Sequence, residues 1–355
     1  MSDNPNADLG FTHTRNFPLW LDQNKCSVVV STYKKHKLLC LGVQGTGEIS
    51  LAFVNVLRPM GICYDAPSQT FYTSNVGNVI TYINAGEETH SEWGYFDAVF
   101  MPTKASLCGD IDIHDLRLGK KSDDLQPRLY YISACFNSIL MSHDSKPFEV
   151  YWTPNFITKT PNGLPPCEDR CHLNGLALLD GKPKYVTAAC TGDHYYAWKE
   201  QHGTGVVIDV ETNEIIANEL WAPHSPTLYN GKLYIAETGT GQFGYIDVNE
   251  KKFIAKKFIP GFIRGMAFIN NYALINTSND RHDQVFKDIP LGKLLEIKNQ
   301  KAYCGISIVD LQSFDILHRL EFADTNTELY DIAIMPNIKR ARFVEISDLP
   351  SNKVY

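Results

Sequence analysis

Three histidines have the type and spacing to act together on a metal ion. His114, His172 and His224 lie at or beside the starts of short phrases that recur along the chain. Imidazole nitrogens bind divalent transition metals, and Asn174 or a carboxylate would complete a mixed nitrogen and oxygen shell with an open position for water or substrate. The simpler interpretation is that each imidazole holds a loop by a hydrogen bond to a backbone carbonyl.

Two further residues that begin such phrases would handle an anionic substrate beside the metal. The guanidinium of Arg264 keeps its charge and makes bidentate contacts, so it would receive a carboxylate or a phosphate. The alternative is a salt bridge to a nearby carboxylate. Tyr330 would donate to an oxyanion or simply cap a channel. The candidate general bases, which are also the candidate ion-pair partners of the arginine, are Asp110, Asp112 and Glu168.

The phrases predict the architecture that positions these residues. Their first residues are separated by 54, 60, 50, 40 and 66 positions, close to the blade period of about 40–50 residues of a propeller with insertions in some blades. Short runs of β-branched and aromatic residues, bounded by Gly, Asn and Asp, lie between them and form an all-β pattern. The phrases are Met60–Tyr64, His114–Leu118, Asn174–Leu178, His224–Leu228, Arg264–Phe268 and Tyr330–Ile334. Six phrases predict a six-bladed β-propeller.

The inner strand of each propeller blade runs along the central channel. The first residue of every phrase is therefore expected to project toward one axial opening. This set would form a largely polar ring: Met60, His114, Asn174, His224, Arg264 and Tyr330.

The ends of the chain predict how the ring closes. Residues 26–57 contain a hairpin with no phrase before it, and the last phrase has no complete hairpin after it. A strand at about residues 330–335 would therefore supply the inner edge of the blade built by residues 26–57, leaving no long free edge. We expect a single propeller domain, residues 1–355, with loose tails at 1–15 and 345–355.

Three stretches interrupt the blade pattern. Residues 85–108 and 279–303 are long and irregular, and such loops are often functional. The aromatic run His194-Tyr-Tyr-Ala-Trp198 and the residues after it, up to Gly205, would either line a pocket for an apolar or sugar-like ligand or pack as an outer loop.

Cys167, Cys171 and His172 resemble part of a zinc site, but no second pair at finger spacing follows.

Composition and charge exclude several classes of function. The chain has 33 Lys and Arg against 40 Asp and Glu, a net charge of −7, and no basic stripe, so nucleic acid is not an expected partner. No window reaches the ~18–20 apolar residues that cross a bilayer, so no membrane partner is expected. Nine scattered cysteines suit a reducing compartment. We expect a cytoplasmic protein that binds a small molecule.

The phrases also resemble a known family. Gly109–Asp115, Glu168–Ala177 and Pro223–Pro226 are similar to an uncharacterised family of mostly bacterial hypothetical proteins, classified as a domain of unknown function and expected to be propellers. The resemblance covers about residues 15–345. The family pattern usually has Arg directly after its Pro-His-Ser-Pro phrase, whereas this chain has Thr227, which weakens the case for an anion-binding role there.

A more distant likeness is to the six-bladed gluconolactonase and senescence-marker superfamily. In that superfamily, Asn-Gly-Leu-Ala phrases on inner strands supply metal ligands, and only Asn174 carries over to this chain. The superfamily uses carboxylate and Asn ligands around calcium, but the axial positions here hold His114 and His224, which favour a softer ion such as Zn, Fe, Cu or Mn. The likeness therefore implies a central metal more than lactone hydrolysis.

Two functions are compatible with these residues. The first is a metal-dependent enzyme acting on a small polar or anionic molecule in the axial pocket, either hydrolytic, like a lactonase or esterase, or oxidative or isomerising. The second is a non-catalytic propeller that binds a small ligand or a partner protein, with structural histidines. Propellers host both kinds of role.

Overall fold

The computed structural model describes residues 9–90, 94–119, 127–279, 289–323, 328–345 and 347. The first strands are β1 Phe11–His13, β2 Cys26–Thr32, β3 Lys37–Val43, β4 Ile49–Asn55, β5 Ile62–Asp65, β6 Thr70–Asn75, β7 Asn78–Asn84, β8 Glu88–His90, β9 Gly94–Phe96, β10 Ala98–Leu107, β11 Ile113–Leu118, β12 Leu129–Ser133, β13 Ser138–Met141 and β14 Glu149–Trp152. The later strands are β15 Leu173–Leu179, β16 Lys182–Ala188, β17 Gly205–Asp209, β18 Ile215–Leu220, β19 Pro223–Tyr229, β20 Lys232–Glu237, β21 Gln242–Asp247, β22 Lys252–Phe258, β23 Phe262–Ile269, β24 Tyr272–Ser278, β25 Gly305–Asp310, β26 Ile316–Phe322, β27 Leu329–Pro336 and β28 Ala341–Phe343. The helices are α1 Phe17–Gln23 and α2 Leu291–Ile297, with 3-10 turns at Ala197–Lys199 and Thr238–Thr240.

Six sheets form the blades of a six-bladed β-propeller, which confirms the predicted fold class and blade count. Numbered from the point of ring closure, the blades are β27-β2-β3-β4, β5-β6-β7-β10-β28, β11-β12-β13-β14, β15-β16-β17-β18, β19-β20-β21-β22 and β23-β24-β25-β26-β1. The first strand of each is the inner one. Inner strands of consecutive blades contact one another around the ring, and β27 contacts both β23 and β5.

Blade 1 closes the ring in the predicted way. The C-terminal strand β27 pairs antiparallel with β2, and Val28 lies opposite Ile334 while Val30 lies opposite Ile332. Val28, Val30 and Ile332 are also buried in the apolar layer between blades 6 and 1. Because the two ends of the chain share one sheet, the ring has no open seam at its inner edge.

The segment expected to be a loose tail at residues 1–15 is ordered in its described part. Phe11–His13 pairs with β26 as the outermost strand of blade 6, and Leu9 is buried. Three residues are too few to show the period-two pattern of a strand. The rest of the two expected tails, residues 1–8, 346 and 348–355, lies outside the described residues.

The stretch at residues 85–108, expected to be irregular, contains the fourth strand of blade 2. β10 pairs with β7, and its register shifts between Pro102 and Lys104. A proline and a bulge inside one strand hide its alternation. Residues 91–93 lie outside the described residues, as do residues 280–288 of the other expected insertion, in which α2 packs on Phe262.

The second residue of each repeated phrase forms the joint between neighbouring inner strands. In blades 2, 4 and 6 it is glycine: Gly61, Gly175 and Gly265. A Cβ on Gly61 would lie 2.7 Å from the backbone of Asp115, and a Cβ on Gly265 would lie 2.7 Å from that of Asp331. Carbon atoms in contact prefer ~3.5–4.0 Å, so a side chain here would force the blades apart.

In blades 1, 3 and 5 the same position holds a polar side chain that reaches the next blade. Oδ2 of Asp115 accepts a hydrogen bond from the backbone N–H of Leu176 at 2.8 Å. Oδ2 of Asp331 accepts from the N–H of Ile62 at 3.1 Å. The hydroxyl of Ser225 donates to a backbone carbonyl of blade 6. Glycine joints and polar joints therefore alternate around the ring.

Replacing a joint glycine should destabilise the propeller. We expect Gly61→Ala to lower the free energy of unfolding by about 1–3 kcal/mol, because the new methyl group meets the backbone of the next blade. Gly45→Ala is the matched control, since a Cβ there meets nothing within 4 Å, and it should stay within about 0.5 kcal/mol of the wild type. Urea unfolding measures both, and equal stabilities would contradict the close approach of the blades.

Candidate functional site

An axial cavity of about 300 Å³ lies where the inner strands begin. Five of the six first residues of the phrases line it, and all five are more than nine-tenths buried: Met60, His114, His224, Arg264 and Tyr330. Successive side chains of a strand point in opposite directions, which places the residues before five of the six joints in the lining of the cavity. The sixth, Asn174, is not part of the lining, and its Oδ1 accepts a hydrogen bond from the Thr187 hydroxyl at 2.7 Å.

The loop between β16 and β17 forms one wall of this cavity. Of the two interpretations of the aromatic run at 194–205, the structure supports pocket lining, because the loop supplies Tyr196, Trp198, Lys199, Gln201, His202 and Gly203. The ring of Trp198 stacks on His172 with centroids 4.2 Å apart. Nζ of Lys199 lies 3.3 Å from the ring centroid of Tyr196. The cavity therefore combines a polar floor with a partly aromatic wall.

His172 is oriented by a carboxylate. Its Nδ1 lies 2.9 Å from Oδ2 of Asp169, and the indole N–H of Trp198 donates to the same oxygen at 2.7 Å. Burial alone would raise the pKa of Asp169, but the electrostatic interaction with His172 and these hydrogen bonds hold the pKa below its usual value. The ionised Asp169 keeps a proton on Nδ1 of His172. No described residue hydrogen-bonds to Nε2, whose lone pair is left for a ligand.

His114 stands beside His172, with ring centroids 4.6 Å apart and nearly perpendicular planes. Its Nδ1 lies 3.1 Å from the backbone carbonyl oxygen of Asp112, a residue in the left-handed conformation. Burial lowers the pKa of His114, the carboxylate of Asp112 acts against this, and His172 lowers the pKa further. The ring of Tyr330 lies 5.9 Å away. His114 is therefore a neutral neighbour of the His172 imidazole.

His224 is engaged by Arg264. Nδ1 of His224 lies 2.9 Å from the carbonyl oxygen of Ala222, and its Nε2 accepts a hydrogen bond from Nη1 of Arg264 at 2.5 Å. Burial lowers the pKa of His224 well below its usual value, and the charge of Arg264 lowers it further. His224 is therefore neutral and acts as an acceptor for the guanidinium.

Arg264 is a buried cation that pairs with no carboxylate among the described residues. Its side chain contacts the neutral His224 and lies 5.8 Å from the ring centroid of Tyr330. Its Nε has no hydrogen-bond partner among the residues that the structure describes. Burial lowers the pKa of Arg264, yet a guanidinium keeps its charge at neutral pH. The alternative drawn from the sequence, a salt bridge to a predicted carboxylate, is not formed.

Two of the three predicted general bases lie outside the cavity lining. Asp110 pairs with Arg58 at 2.5 Å, and Glu168 pairs with Arg170 at 3.0 Å, with about half of each carboxylate side chain exposed. Asp112 lines the cavity, although its side chain is 38% exposed. Two of the three carboxylates therefore form ion pairs with neighbouring arginines at the surface and do not face the cavity.

Sequence reasoning missed Asp169 as the partner of His172, and it named Trp198 only as part of an aromatic run that would line a pocket, not as a partner of His172. Asp169 directly follows Glu168 and precedes His172 by three residues, a spacing at which a single turn brings carboxylate and imidazole together. Trp198 lies on a different loop, and no local spacing relates it to His172. The contact of Asp169 with His172 could have been found from the sequence, by asking which carboxylate of the phrase lies within one turn of the histidine. The contact of Trp198 with His172 depends on the fold.

The described side chains do not fit the predicted three-histidine metal site. His114 and His172 are neighbours, but Nε2 of His224 is occupied by a guanidinium whose charge would also repel a metal ion. Among the residues that the structure describes, no group of three or more His, Cys, Asp or Glu side chains is placed to hold a metal. The binding of Zn, Fe, Cu or Mn stays a prediction, and no step below depends on it.

A second arginine, Arg117, lies further along the inner strands, is partly exposed and is paired with carboxylates. Nη1 of Arg117 lies 2.7 Å from Oδ1 of Asp115 and 3.8 Å from Oδ2 of Asp331. Burial raises the pKa of Asp115 to about 7, although Arg117 acts against it, and burial also raises the pKa of Asp331. These are the aspartates that form the polar joints, so Arg117 offsets part of the negative charge of the inner ring.

The fold and the site together define a six-bladed propeller with a polar axial cavity. Within that class the chain belongs to the family described as Domain of unknown function (DUF4915), which matches residues 15–344. The family resemblance predicted from the repeated phrases is thereby confirmed. No curated protein matches the chain.

Two solved structures are similar to the chain at low sequence identity. A chain of "Crystal structure of Nidogen/Laminin Complex" is 10% identical with a TM-score of 0.53, covering 88% of this chain and 99% of that chain. A protein of unknown function from Bacteroides caccae is 10% identical with a TM-score of 0.47, covering 87% of this chain and 98% of that one. The first likeness concerns the fold alone.

No helix in the described ranges has the length and apolar character to span a membrane.

The buried His224 should make the protein less stable in acid. Because its folded pKa is depressed, the unfolded chain binds a proton on this residue below about pH 6.5 while the folded chain does not, so stability falls as pH decreases. The loss is at most about 1.4 kcal/mol per pH unit. We expect His224→Gln, which still offers Arg264 an acceptor, to flatten the pH dependence between pH 7 and 5.5.

Urea unfolding at several pH values measures this effect. The informative quantity is the difference between wild type and variant, because the opposite contribution of Asp115, whose raised pKa favours the folded state at low pH, is present in both. Parallel stability curves for the two proteins would contradict a neutral, buried His224.

Proposed function

We propose that the protein is an enzyme that binds a small anionic molecule in the axial cavity and transfers a proton with His172 as general base. The observation that carries the proposal is the buried guanidinium of Arg264, which lines a cavity of about 300 Å³ and has no carboxylate partner among the described residues. The predicted metal is not part of this proposal, because His224 serves Arg264 instead of a metal shell.

The anion is inferred by comparing the two arginines of the channel. Arg117 contacts two carboxylates, whereas the contact of Arg264 is the neutral His224. Removing a cation from water costs several kcal/mol when no opposite charge compensates. A ligand carboxylate or phosphate would supply that charge and make charge-assisted hydrogen bonds to the guanidinium. We therefore assign Arg264 the role of anchoring the anionic group of the substrate.

The general base is inferred from the pair formed by His172 and Asp169. A carboxylate that accepts from Nδ1 fixes the tautomer and orientation of the ring and stabilises the imidazolium formed when Nε2 takes a proton. The same base serves a hydrolysis, in which it removes a proton from water, and an isomerisation, in which it removes a proton from carbon beside the anionic group. Trp198 is a positioning residue, because it stacks on His172 and donates to Asp169.

The size and lining of the cavity define the rest of the ligand. About 300 Å³ is at the lower end of the range for small-molecule sites. Tyr196, Trp198 and Trp221 present aromatic surface to the same space that Arg264 charges. We infer a small substrate with one anionic group and an apolar or ring-shaped body.

We also propose that the protein works in the cytoplasm. All nine cysteines are free thiols, and most of them are buried and act as small apolar side chains. A net charge of −7 gives no support to a nucleic-acid partner.

Replacing Arg264 should abolish anion binding. We expect small carboxylates and phosphate esters to raise the melting temperature of the wild type, and Arg264→Met to bind the same ligands at least ~30-fold more weakly, because a charged hydrogen-bonded pair is lost. Thermal shift finds the ligands and calorimetry measures the affinity. Arg128→Met is the matched control, since this arginine pairs with Asp144 outside the cavity lining. Equal affinities for wild type and Arg264→Met would contradict the proposal.

Replacing His172 should remove turnover and leave binding intact. We expect the wild type to convert one of the bound acids, or to exchange one of its C–H protons in D2O, and His172→Gln to do so ~100–10,000-fold more slowly. Trp198→Phe keeps a ring against His172 but removes one hydrogen bond to Asp169, so its loss should be smaller. Nuclear magnetic resonance follows both conversion and exchange.

Three results would overturn this assignment. Unchanged turnover in His172→Gln would place the base elsewhere. A wild type that binds acids but neither converts nor exchanges them would favour the non-catalytic binding propeller. Near-stoichiometric Zn, Fe, Cu or Mn, found by elemental analysis and lost in both His114→Ala and His172→Ala, would replace the proton-transfer proposal with the predicted metal site.

A further inference from the structure

Two thiols outside the proposed reaction lie in contact with one another. Sγ of Cys135 is 2.7 Å from Sγ of Cys167. Cys135 lies in the turn between β12 and β13, and Cys167 lies in the segment between β14 and β15. Cys167 is exposed and Cys135 is partly exposed, as is Cys63, whereas the remaining cysteines are buried: Cys26, Cys40, Cys108, Cys171, Cys190 and Cys304.

A buried side chain in the turn after Cys135 holds together the two segments that carry the thiols. The side chain of Asn137, two residues after Cys135, donates to the carbonyl of Glu168 at 2.7 Å and accepts from the N–H of Arg170 at 2.9 Å. Asn137 is fully buried, so these bonds are shielded from water. They fix the position of the turn relative to the segment that carries Cys167.

The backbone on the other side is restricted by its sequence. Pro165 and Pro166 directly precede Cys167, and both are buried. Each proline ring fixes its own φ angle, and the second also restricts the residue before it. Cys167 is therefore held from both directions, and its sulfur meets that of Cys135 without any rearrangement of a loop.

We propose that Cys135 and Cys167 are an oxidation site, which a hydroperoxide converts into an intramolecular disulfide. The two sulfurs are 2.7 Å apart, close to the ~2.05 Å of a disulfide bond. This proposal is independent of the reaction assigned to the axial cavity.

The oxidation proceeds in two balanced steps. The Cys167 thiolate attacks one oxygen of hydrogen peroxide, an S–O bond forms, the O–O bond breaks, and hydroxide leaves and becomes water by taking up a proton. The sulfur of Cys135 then attacks the resulting sulfenic acid, the S–S bond forms, and the S–O bond breaks as the oxygen leaves with the Cys135 proton as water. Two thiols thus give two electrons to one peroxide.

Exposure determines which thiol reacts first. Cys167 is open to the oxidant. Burial and the hydrogen bond to Cys167 raise the pKa of Cys135 to about 12, so Cys135 keeps its proton until the second step. Cys167 is therefore the attacking sulfur and Cys135 the resolving one.

The disulfide would tether the segment that presents the proposed base. Cys167 precedes Asp169 by two residues and His172 by five. The new bond closes a loop of about 30 residues, which restricts the unfolded chain and adds to the stability of the oxidised protein. Oxidation should therefore be visible in the melting temperature as well as in the covalent chemistry.

The test is mild oxidation of the full, reduced chain with hydrogen peroxide, followed by thiol blocking and peptide mass mapping. We expect the wild type to lose two reactive thiols and 2 Da, to yield a linked peptide pair containing Cys135 and Cys167, and to melt about 2–5 °C higher until dithiothreitol reverses the change. Cys135→Ser should form no link and should accumulate a sulfenic acid on Cys167 that dimedone traps. Cys63→Ser, the matched control, should behave like the wild type.

Other outcomes would overturn the proposal. A wild type whose thiols survive the treatment, or whose cysteines collect oxygen without forming the link, has no such site. A link that maps to another pair, or that requires Cys63, would show that the contact between the two sulfurs does not direct the oxidation.

Discussion

Six inner strands can surround one narrow channel only if neighbouring backbones touch, and this close approach is the constraint on which the rest of the structure depends. It is met at the second residue of each phrase, by Gly61, Gly175 and Gly265 on alternate blades and by polar side chains such as Asp115 on the blades between them. Because adjacent side chains of a strand point in opposite directions, the first residue of the phrase is directed toward the channel, and five of the six first residues line the cavity. The repeated phrase therefore encodes a joint and a cavity position in two consecutive residues.

The same geometry explains how charge is distributed along the channel. Polar joints place Asp115 and Asp331 in a dry environment, where isolated carboxylates are costly, and Arg117 lies between them to compensate. Arg264, by contrast, donates a hydrogen bond to the neutral imidazole of His224. Arg117 thus offsets part of the negative charge of the inner ring, while the neighbouring cavity keeps a positive charge on Arg264 that no described carboxylate compensates. That difference is the reason we propose a ligand site at Arg264 and a structural role for Arg117.

Much of the fold could be predicted from the sequence because propeller repeats are periodic, and periodicity survives insertions. The six phrases, the closure of blade 1 and the cavity positions of His114, His224 and Arg264 all follow from counting residues. The partners of those side chains do not follow, because hydrogen bonds between blades depend on side-chain direction rather than on spacing. Three histidines at or beside equivalent repeat positions suggested one metal shell, yet they divide between a carboxylate, a backbone carbonyl and a guanidinium.

The partner of Arg264 is also the reason we propose an anion rather than a cation as the ligand of this cavity. A carboxylate partner would have compensated the positive charge of Arg264. The neutral His224 instead orients the guanidinium and leaves its positive charge uncompensated. That orientation persists only while His224 stays unprotonated, and burial beside Arg264 ensures this because both lower its pKa. The same positive charge raises the electrostatic cost of a metal ion bound nearby. An anionic ligand, by contrast, would compensate the charge of Arg264, and in the proposed reaction it would bring its reacting atoms toward the His172 imidazole, which Asp169 orients.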